Sequence, residues 1–205
     1  MSTEARRVKA DYFHELAPGW DEKVGNNAGR KEKLRRVFDM IEIRKGARVL
    51  DVGCGSGVLF RFIEEKTGPD GTILAVDPAE GMIDRAKELH RDFDNIQYSV
   101  GFIEDSGLPH GEFDVALCYA VLPHIEDIPR SLKVLYRALV SGGRVYIFHP
   151  DDTRALNEFH AALNGPIQKD VLPAEDELRV LLADAGFRVL SYIDEPGLNF
   201  VECEK

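Results

Sequence analysis

The sequence is poor in cysteine and lacks any long apolar run. Its 205 residues include only three cysteines, Cys54, Cys118 and Cys203, which are far apart and odd in number. This usage argues against a disulfide framework or a Cys-x-x-Cys zinc site and predicts a reducing, cytoplasmic location. No stretch approaches the ~18 consecutive apolar residues of a membrane helix, and the N-terminus lacks an apolar signal core. We therefore expect no membrane insertion.

The chain also lacks an excess of basic residues. It has 26 Lys and Arg against 36 Asp and Glu, a formal net charge of −10. Nucleic-acid binding needs a basic surface, and the only basic run is RKEKLRR at 30–36. Leu34, Val37, Phe38 and Ile41 interrupt this run at helical spacing, which indicates the solvated face of an amphipathic helix. The expected partner is a small molecule, and no nucleic acid.

Apolar runs typical of buried strands alternate with stretches of helical periodicity. This alternation predicts βαβ units, and hence a parallel sheet with helices on both faces. Gly142 and Gly143 are expected to end the helix before the fifth strand. The predicted strands are 47–53, 71–77, 95–100, 113–121 and 142–150, and the predicted helices between them are 56–66, 79–93 and 128–140.

The C-terminal part breaks the alternation. A helix over 176–187 is followed by strands 187–193 and 198–204, which only the four turn residues 194–197 separate. So short a connection permits only a hairpin, so the last strand must run antiparallel to its predecessor. The predicted fold is α/β in class: a Rossmann-like, doubly wound sheet of seven strands in three layers, mostly parallel with the last strand antiparallel.

A glycine-rich turn follows the first strand in VLDVGCGSGVL, residues 49–59. It could be a plain strand-to-helix connection, a nicotinamide or flavin dinucleotide site, or a site for an adenosyl-sulfonium. The dinucleotide pattern G-x-G-x-x-G fails, because Val58 and Phe60 occupy the third glycine position in the two possible registers. Glycines leave room for a ligand to approach the backbone, and the following helix offers free N–H groups.

DVGCGSG resembles motif I of the class I S-adenosylmethionine-dependent methyltransferases. The resemblance implies S-adenosylmethionine (SAM) as cofactor and S-adenosylhomocysteine (SAH) as product. Asp51 would face the amino group of the methionine moiety, and Asp77, which ends the second strand, would bind the ribose hydroxyls. Alternatively, Asp77 only forms a turn before Pro78. The positions that the resemblance places around the cofactor are Asp51, Gly53, Gly55, Gly57, Asp77, Pro78 and Met82, the last two at the adenine.

The stretch 99–127 resembles the family further. Gly101, Ile103, Glu104, Leu108, Pro109, Phe113 and Asp114 match its pattern, whereas Phe102 stands where many members have an aspartate that contacts adenine. The backbone of Ile103 and the side chain of Glu104 are therefore expected to recognise the adenine, or else a water molecule mediates the contact. The resemblance places Tyr119 beside the transferring methyl group. His124 is a candidate general base, although positioning of the loop before the next helix is the favoured role.

The N-terminal stretch YFHELAPGWDE, residues 12–22, resembles the segment that folds over the cofactor in menaquinone/ubiquinone-type small-molecule methyltransferases. We predict a lid segment over 1–28 and a methyltransferase domain over 29–205. Tyr12, a cofactor-binding candidate, would help Phe13 and Trp20 to close the pocket. Alternatively, these rings form a hydrophobic staple on the surface.

The acceptor pocket is expected from the lid, the Tyr119 region and segment 149–175. His149, at the end of the fifth strand, is the preferred general-base candidate. His149, Asp151, Asp152, His160 and Asp170 could suggest a metal cluster, but their spacing is irregular, so we expect no metal and favour a polar lining.

The predicted function is methyl transfer from SAM to a small-molecule acceptor by in-line displacement (EC 2.1.1.-), by a monomer or homodimer. Alternatives are a non-catalytic SAM-binding regulatory module, an NAD(P)-linked oxidoreductase, and a protein or tRNA methyltransferase. The N/D-P-P-[YF] signature of many amino-group methyltransferases is replaced by CYAV. Oxygen, carbon, sulfur or a metalloid is therefore the expected acceptor atom.

Overall fold

The computed structural model describes residues 3–22 and 28–205. Its strands form one sheet in the order β3-β2-β1-β4-β5-β7-β6. Neighbours from β3 to β5 pair in parallel, and β7 runs antiparallel to both β5 and β6. This confirms the predicted fold. The strands are β1 (Arg48–Val52), β2 (Thr72–Asp77), β3 (Ile96–Val100), β4 (Phe113–Tyr119), β5 (Leu139–His149), β6 (Arg188–Glu195) and β7 (Leu198–Glu204).

Helices cover both faces of the sheet because successive strand residues point to opposite sides. Leu50 packs in a cluster with Leu132 and Leu178, whereas its neighbour Val49 packs in a cluster with Phe38 and Ile63. The helices are α1 (Thr3–Leu16), α2 (Ala28–Met40), α3 (Phe60–Thr67), α4 (Glu80–Leu89), α5 (Ile128–Ala138), α6 (Thr153–Ala162) and α7 (Glu175–Ala185). Within residues 3–22 and 28–205, no helix has the length and apolar character needed to cross a membrane.

The expected helix boundary at Gly142 and Gly143 was wrong. Helix α5 ends at Ala138, and both glycines lie within β5. The pairing of β4 with β5 shifts register between Phe113 and Val115. A Cβ on Gly143 would lie 2.9 Å from the Val140 carbonyl oxygen, so the two glycines allow an irregularity in the strand and not a helix end.

The strand order places a binding crevice at the carboxyl edge of the sheet. β1 lies between β2 and β4, so the chain crosses to one side after β1 and to the other side after β3. In such sheets ligands bind outside the carboxyl ends of the strands, at the point where the order reverses. Asp51, Asp77, Tyr119 and His149 all lie at this edge.

Candidate functional site

A cavity of about 540 Å³ opens at this edge. The glycine turn, the ends of β2, β4 and β5, and the N-terminal helix α1 border it, together with parts of α6. Its volume lies within the range of small-molecule sites, which is about 300–1,000 Å³. Every catalytic or cofactor-binding candidate that the sequence singled out borders this cavity except Gly57.

The glycine turn is built from residues in left-handed backbone conformations. Gly53 and Gly55 have φ of +65° and +53°. A Cβ on Gly53 would lie 2.2 Å from Cγ2 of Val121, and one on Gly57 would lie 2.4 Å from the Phe60 ring. Both conformation and packing therefore require glycine here. Gly53 and Gly55 border the cavity, whereas Gly57 lies away from it and packs against the Phe60 ring.

Asp77 holds the turn from the neighbouring strand. One of its carboxylate oxygens accepts the N–H of Gly55 and the other that of Ala79, each at 2.9 Å. Burial raises its pKa to about 6, against the lowering effect of these two hydrogen bonds and of His124. Each oxygen keeps a lone pair for another donor, so the side chain can both shape the turn and accept from ligand hydroxyls.

Asp51 is the most unusual carboxylate of the site. It is 1% exposed, and its Oδ2 has no hydrogen-bond partner among the described residues. Burial, reinforced by Asp77, raises its pKa to about 8. A buried carboxylate without a partner is costly. The arrangement is suited to a ligand that brings a positive charge to this position.

The adenine-side candidates Pro78, Met82, Ile103 and Glu104 line one side of the cavity. Met82 is buried beside Ala17 and Ala79. Glu104 is 5% exposed, and its Oε1 accepts the N–H of Asp127 in a long bond of 3.4 Å at the start of α5. That bond leaves lone pairs of the carboxylate available on the cavity side.

Tyr119 ends β4 with its hydroxyl engaged by a residue that the sequence did not indicate. Nε of Arg30, on α2, donates to the Tyr119 hydroxyl at 2.7 Å. The Arg30 guanidinium also lies 5.4 Å from the ring centroid. Burial raises the pKa of Tyr119, an effect that Arg30 opposes. Tyr119 is therefore a fixed, neutral part of the wall near neutral pH.

His149 and His124 differ sharply in their surroundings. His149 is 1% exposed, and neither ring nitrogen has a hydrogen-bond partner among the described residues. Burial, followed by the proximity of His124, lowers its pKa to about 3. By contrast, Nδ1 of His124 lies 2.6 Å from Oδ2 of Asp170. The geometry therefore favours His124 over His149 as a proton acceptor, and reverses the order expected from the sequence.

The polar residues of segment 149–175 have separate roles. Asp152 accepts the N–H of Ala155 and caps α6. Nδ1 of His160 makes a 2.9 Å hydrogen bond to the backbone oxygen of Asp170, and burial lowers the pKa of His160. In the part of the chain that the structure describes, no three His, Cys, Asp or Glu side chains are grouped so as to hold a metal ion.

The N-terminal segment lies across the cavity and is tied down at several points. Asp21 accepts from Ser56 Oγ at 2.6 Å and from Arg85 Nε at 2.7 Å. His14 Nδ1 accepts the N–H of Gly81 at 2.9 Å. Residues 1–2 and 23–27 of the predicted lid lie outside the described part of the chain.

The aromatic side chains of this segment meet inside the site. The rings of Tyr12 and Phe13 pack edge to face, as do those of Phe13 and Trp20. All three border the cavity, a position suited to closing a pocket.

Lys9, Asp21 and Arg30 are site residues that the sequence analysis missed. Each contacts a partner between 35 and 161 residues away in the chain, so no local spacing could reveal them. All three lie in stretches that the sequence analysis discussed, Lys9 and Asp21 in the predicted lid and Arg30 at the start of the basic run, but none of them was assigned to the site.

Known proteins resemble this chain in both sequence and structure. A family profile described as a methyltransferase domain matches residues 50–147. A demethylmenaquinone methyltransferase from Symbiobacterium thermophilum is 30% identical over 148 residues, which cover 69% of this chain and 58% of that protein. Nocamycin O-methyltransferase from Saccharothrix syringae is 31% identical over 127 residues, which cover 61% of this chain and 45% of that protein. The chain spans about half the length of the first curated relatives that it matches.

A solved structure extends the likeness over nearly the whole chain. The crystal structure of a SAM-dependent methyltransferase from Aquifex aeolicus matches with a TM-score of 0.70 and 21% identity. The match covers 95% of this chain and 97% of that one. At this identity the likeness shows the fold alone.

Proposed function

Because this chain belongs to the class I SAM-dependent methyltransferase family, we propose that it transfers a methyl group from SAM to a small-molecule acceptor. The observation that supports this most strongly is the buried Asp51 carboxylate next to the glycine turn. Its Oδ2 lacks a hydrogen-bond partner among the described residues. When bound, SAM supplies an electrophilic methyl group on a positively charged sulfur.

The residues around the cavity fit this cofactor. Asp51 would bind the ammonium group, because the buried carboxylate needs a cation there. Gly53 and Gly55 offer a surface without side chains. Asp77 would accept the ribose hydroxyls with the lone pairs that its backbone hydrogen bonds leave free. Pro78, Met82, Ile103 and Glu104 would surround the adenine, and Tyr119 and Tyr12 would border the methyl group.

The acceptor side of the cavity favours a small and largely apolar molecule. Phe13, Leu156, Phe159, Leu163 and Ile167 line it. The curated relatives described above are named for methyl transfer to demethylmenaquinone and nocamycin. The chain's role in the reaction is to align the acceptor with the methyl group and to exclude water, since the sulfonium is already a good leaving group.

The N-terminal segment would act as the lid. Its tethers run to the glycine turn through Ser56 and to α4 through Arg85 and Gly81. These elements also form the cofactor side of the cavity. The lid, residues 1–28, would therefore separate from them when SAM enters and SAH leaves, while residues 29–205 keep the sheet and its crevice.

Isothermal titration calorimetry with SAH and with NAD⁺ tests the cofactor assignment. We expect binding of SAH and none of NAD⁺; the reverse would support the oxidoreductase. Asp51→Asn should weaken SAH binding at least tenfold, since a hydrogen bond between charged groups contributes about 1.5–3 kcal/mol. Asp39→Asn makes the same change on the exposed face of α2 and should leave the affinity unchanged.

Methyl release tests the activity itself. The purified protein is incubated with methyl-labelled SAM and a panel of phenols, enols, thiols and amines. Transfer of label to a phenol, enol or thiol is expected. SAH binding without transfer to any compound would favour the regulatory module instead.

A further inference from the structure

Three charged or titratable side chains, Lys9, Asp170 and His124, contact one another in a row from helix α1 to the cavity. His124 Nδ1 lies 2.6 Å from Oδ2 of Asp170, and the other oxygen of Asp170 lies 2.5 Å from Nζ of Lys9 on α1. Lys9 also pairs with Glu126. The Asp170 side chain is only 4% exposed and that of Lys9 14%. These contacts are therefore shielded from water and from screening by salt.

This arrangement sets the tautomer of His124. The Asp170 carboxylate only accepts hydrogen bonds, so the bond to Nδ1 requires a proton on Nδ1. In the neutral ring Nε2 then carries the lone pair. The His124 side chain is 18% exposed and borders the cavity.

We propose that His124 accepts the proton of a weakly acidic hydroxyl on an apolar ring, and that Asp170 and Lys9 position it for this role. The inference rests on the proposed methyltransferase function and names its acceptor class. Lys9 and the carboxylates of Asp170 and Glu126 carry one net negative charge. That charge compensates the positive charge that His124 gains with the proton.

The surroundings of His124 define the acceptor. The ring centroids of Phe13 and His160 lie 5.1 Å and 5.2 Å from that of His124. The Phe159 ring in turn packs against His160. Leu163 and Ile167 complete the apolar lining. A flat ring can pack against these side chains with its hydroxyl directed at His124.

The step balances in atoms and charge. The acceptor O–H bond breaks and its proton moves to Nε2 of His124. An electron pair of the acceptor oxygen, or of the conjugated ring carbon, forms the bond to the methyl carbon. The carbon–sulfur bond breaks, and its electron pair stays on sulfur. His124 later releases the proton to solvent.

Lys9 connects this chemistry to the lid. It belongs to α1, whereas Asp170 follows α6. The lysine holds one carboxylate oxygen, which leaves the other for the imidazole. The base is therefore fully oriented only while α1 lies over the cavity, and proton removal is coupled to a closed site.

Replacement of the Asp170 carboxylate by an amide gives a sharp test of this orientation. In Asp170→Asn, the Lys9 ammonium can only donate, so the new amide should turn its oxygen to Lys9 and its NH₂ to Nδ1 of His124. The proton would then move to Nε2. Asp170→Asn should thus switch the tautomer, and Lys9→Met combined with Asp170→Asn should restore it in part, because the amide is then free to turn.

Long-range ¹H–¹⁵N correlation spectra of histidine-labelled protein with SAH report the tautomer, and His124→Gln assigns the signal. Arg6→Met removes a neighbouring cation of α1 that pairs with Asp105, and should leave the tautomer unchanged. A proton on Nε2 in the wild type, or an unaltered tautomer in Asp170→Asn, would overturn the proposal. The wild-type spectrum decides even if a variant fails to fold.

Two naphthalene acceptors distinguish a catalytic role of His124 and Asp170 from a purely structural one. 1-Naphthol is protonated near neutral pH, whereas 2-hydroxy-1,4-naphthoquinone is largely ionised and needs no base. Asp170→Asn and His124→Gln should lower kcat with 1-naphthol about 100-fold or more. With the ionised quinone, kcat should stay within about threefold of wild type, because no proton transfer is then required.

Equal losses with both acceptors would show a merely structural role. Failure of the wild type to methylate either compound would overturn the acceptor class. Intact SAH binding in that case would leave the proposed function standing, so the two failures can be told apart.

Discussion

Asp77 accepts the backbone N–H of Gly55 at 2.9 Å, across 22 positions of the chain. This bond joins the end of β2 to the turn that follows β1. It adds to backbone hydrogen bonds of the left-handed glycines, such as that from Gly53 to Val76. A carboxylate that the family resemblance assigns to ligand binding thus also shapes the glycine turn.

Gly53→Ala should disrupt both fold and site. The added Cβ would lie 2.2 Å from Cγ2 of Val121 and would be held at a φ of +65°. We expect a loss of about 2–4 kcal/mol in the free energy of unfolding, from overpacking together with backbone strain, and a large loss of SAH affinity. Urea unfolding and calorimetry measure the two effects.

Gly107→Ala is the matched control. It has a φ of +60° but nothing within 4 Å of the new Cβ, so only the strain term of about 1 kcal/mol applies. Equal destabilisation by the two variants would contradict the packing explanation.

Asp51→Asn should stabilise the protein without ligand. The pKa of Asp51 is raised from 3.8 to about 8, so the folded state holds a proton that the unfolded state loses. The stability of the wild type therefore falls as pH rises from about 4 to about 8. The variant lacks this loss, so its advantage should grow by about 1.4 kcal/mol per pH unit across the same range, to roughly 5 kcal/mol. Thermal unfolding at several pH values checks this; a constant difference would speak against a buried charge.

The affinity for SAH should rise with pH. A bound ammonium group favours the ionised form of Asp51, so binding releases a proton wherever the free protein holds one. Between pH 6 and 8 we expect the association constant to increase by up to about tenfold per pH unit and then to level off. Below about pH 6 the carboxyl group of Asp77 adds to the slope. Calorimetry in buffers of different ionisation enthalpy measures the number of protons released on binding. In Asp51→Asn the association constant should no longer depend on pH between pH 6 and 8.

Asp21→Ala should loosen the N-terminal segment. It removes the hydrogen bonds to Ser56 and Arg85, which are only partly exposed to water. We expect SAH to dissociate about tenfold faster and the free energy of unfolding to fall by about 1–3 kcal/mol. Trp20 is the only tryptophan of the chain and borders the cavity, so its fluorescence reports the segment in stopped-flow experiments.

Glu22→Ala removes the same charge from an exposed neighbouring position. This variant should release SAH at the wild-type rate. A similar acceleration in both variants would point to net charge and not to the two hydrogen bonds.

The fold could be predicted because its determinants are local. Alternating apolar runs and helical stretches specify parallel strands with crossover helices, and the turn 194–197 is too short for anything but a hairpin. The helix α6 was missed, since the polar stretch after His149 carries its N-cap Asp152 without a clear apolar period. The end of α5 was misplaced because Gly142 and Gly143 serve a strand irregularity.

The position of the two acids in the candidate site could also be predicted from the sequence. Asp51 and Asp77 end neighbouring parallel strands, and the carboxyl ends of such strands meet at one edge of the sheet. Their closeness therefore follows from topology. The lack of a hydrogen-bond partner for Asp51 Oδ2 among the described residues, and its raised pKa, do not follow, because they depend on which groups fill the surrounding space.

The sequence by itself determined the layered sheet, the bare turn at the end of β1 and the two acids beside it, since each depends on neighbours in the chain or on strand order. Only the tertiary structure decided how the chemistry on the acceptor side is arranged. His124 finds Asp170 at a separation of 46 residues, and Lys9 reaches the same carboxylate from the N-terminal helix. Such contacts arise from the packing of irregular segments over the crevice, and no periodicity in the chain encodes them.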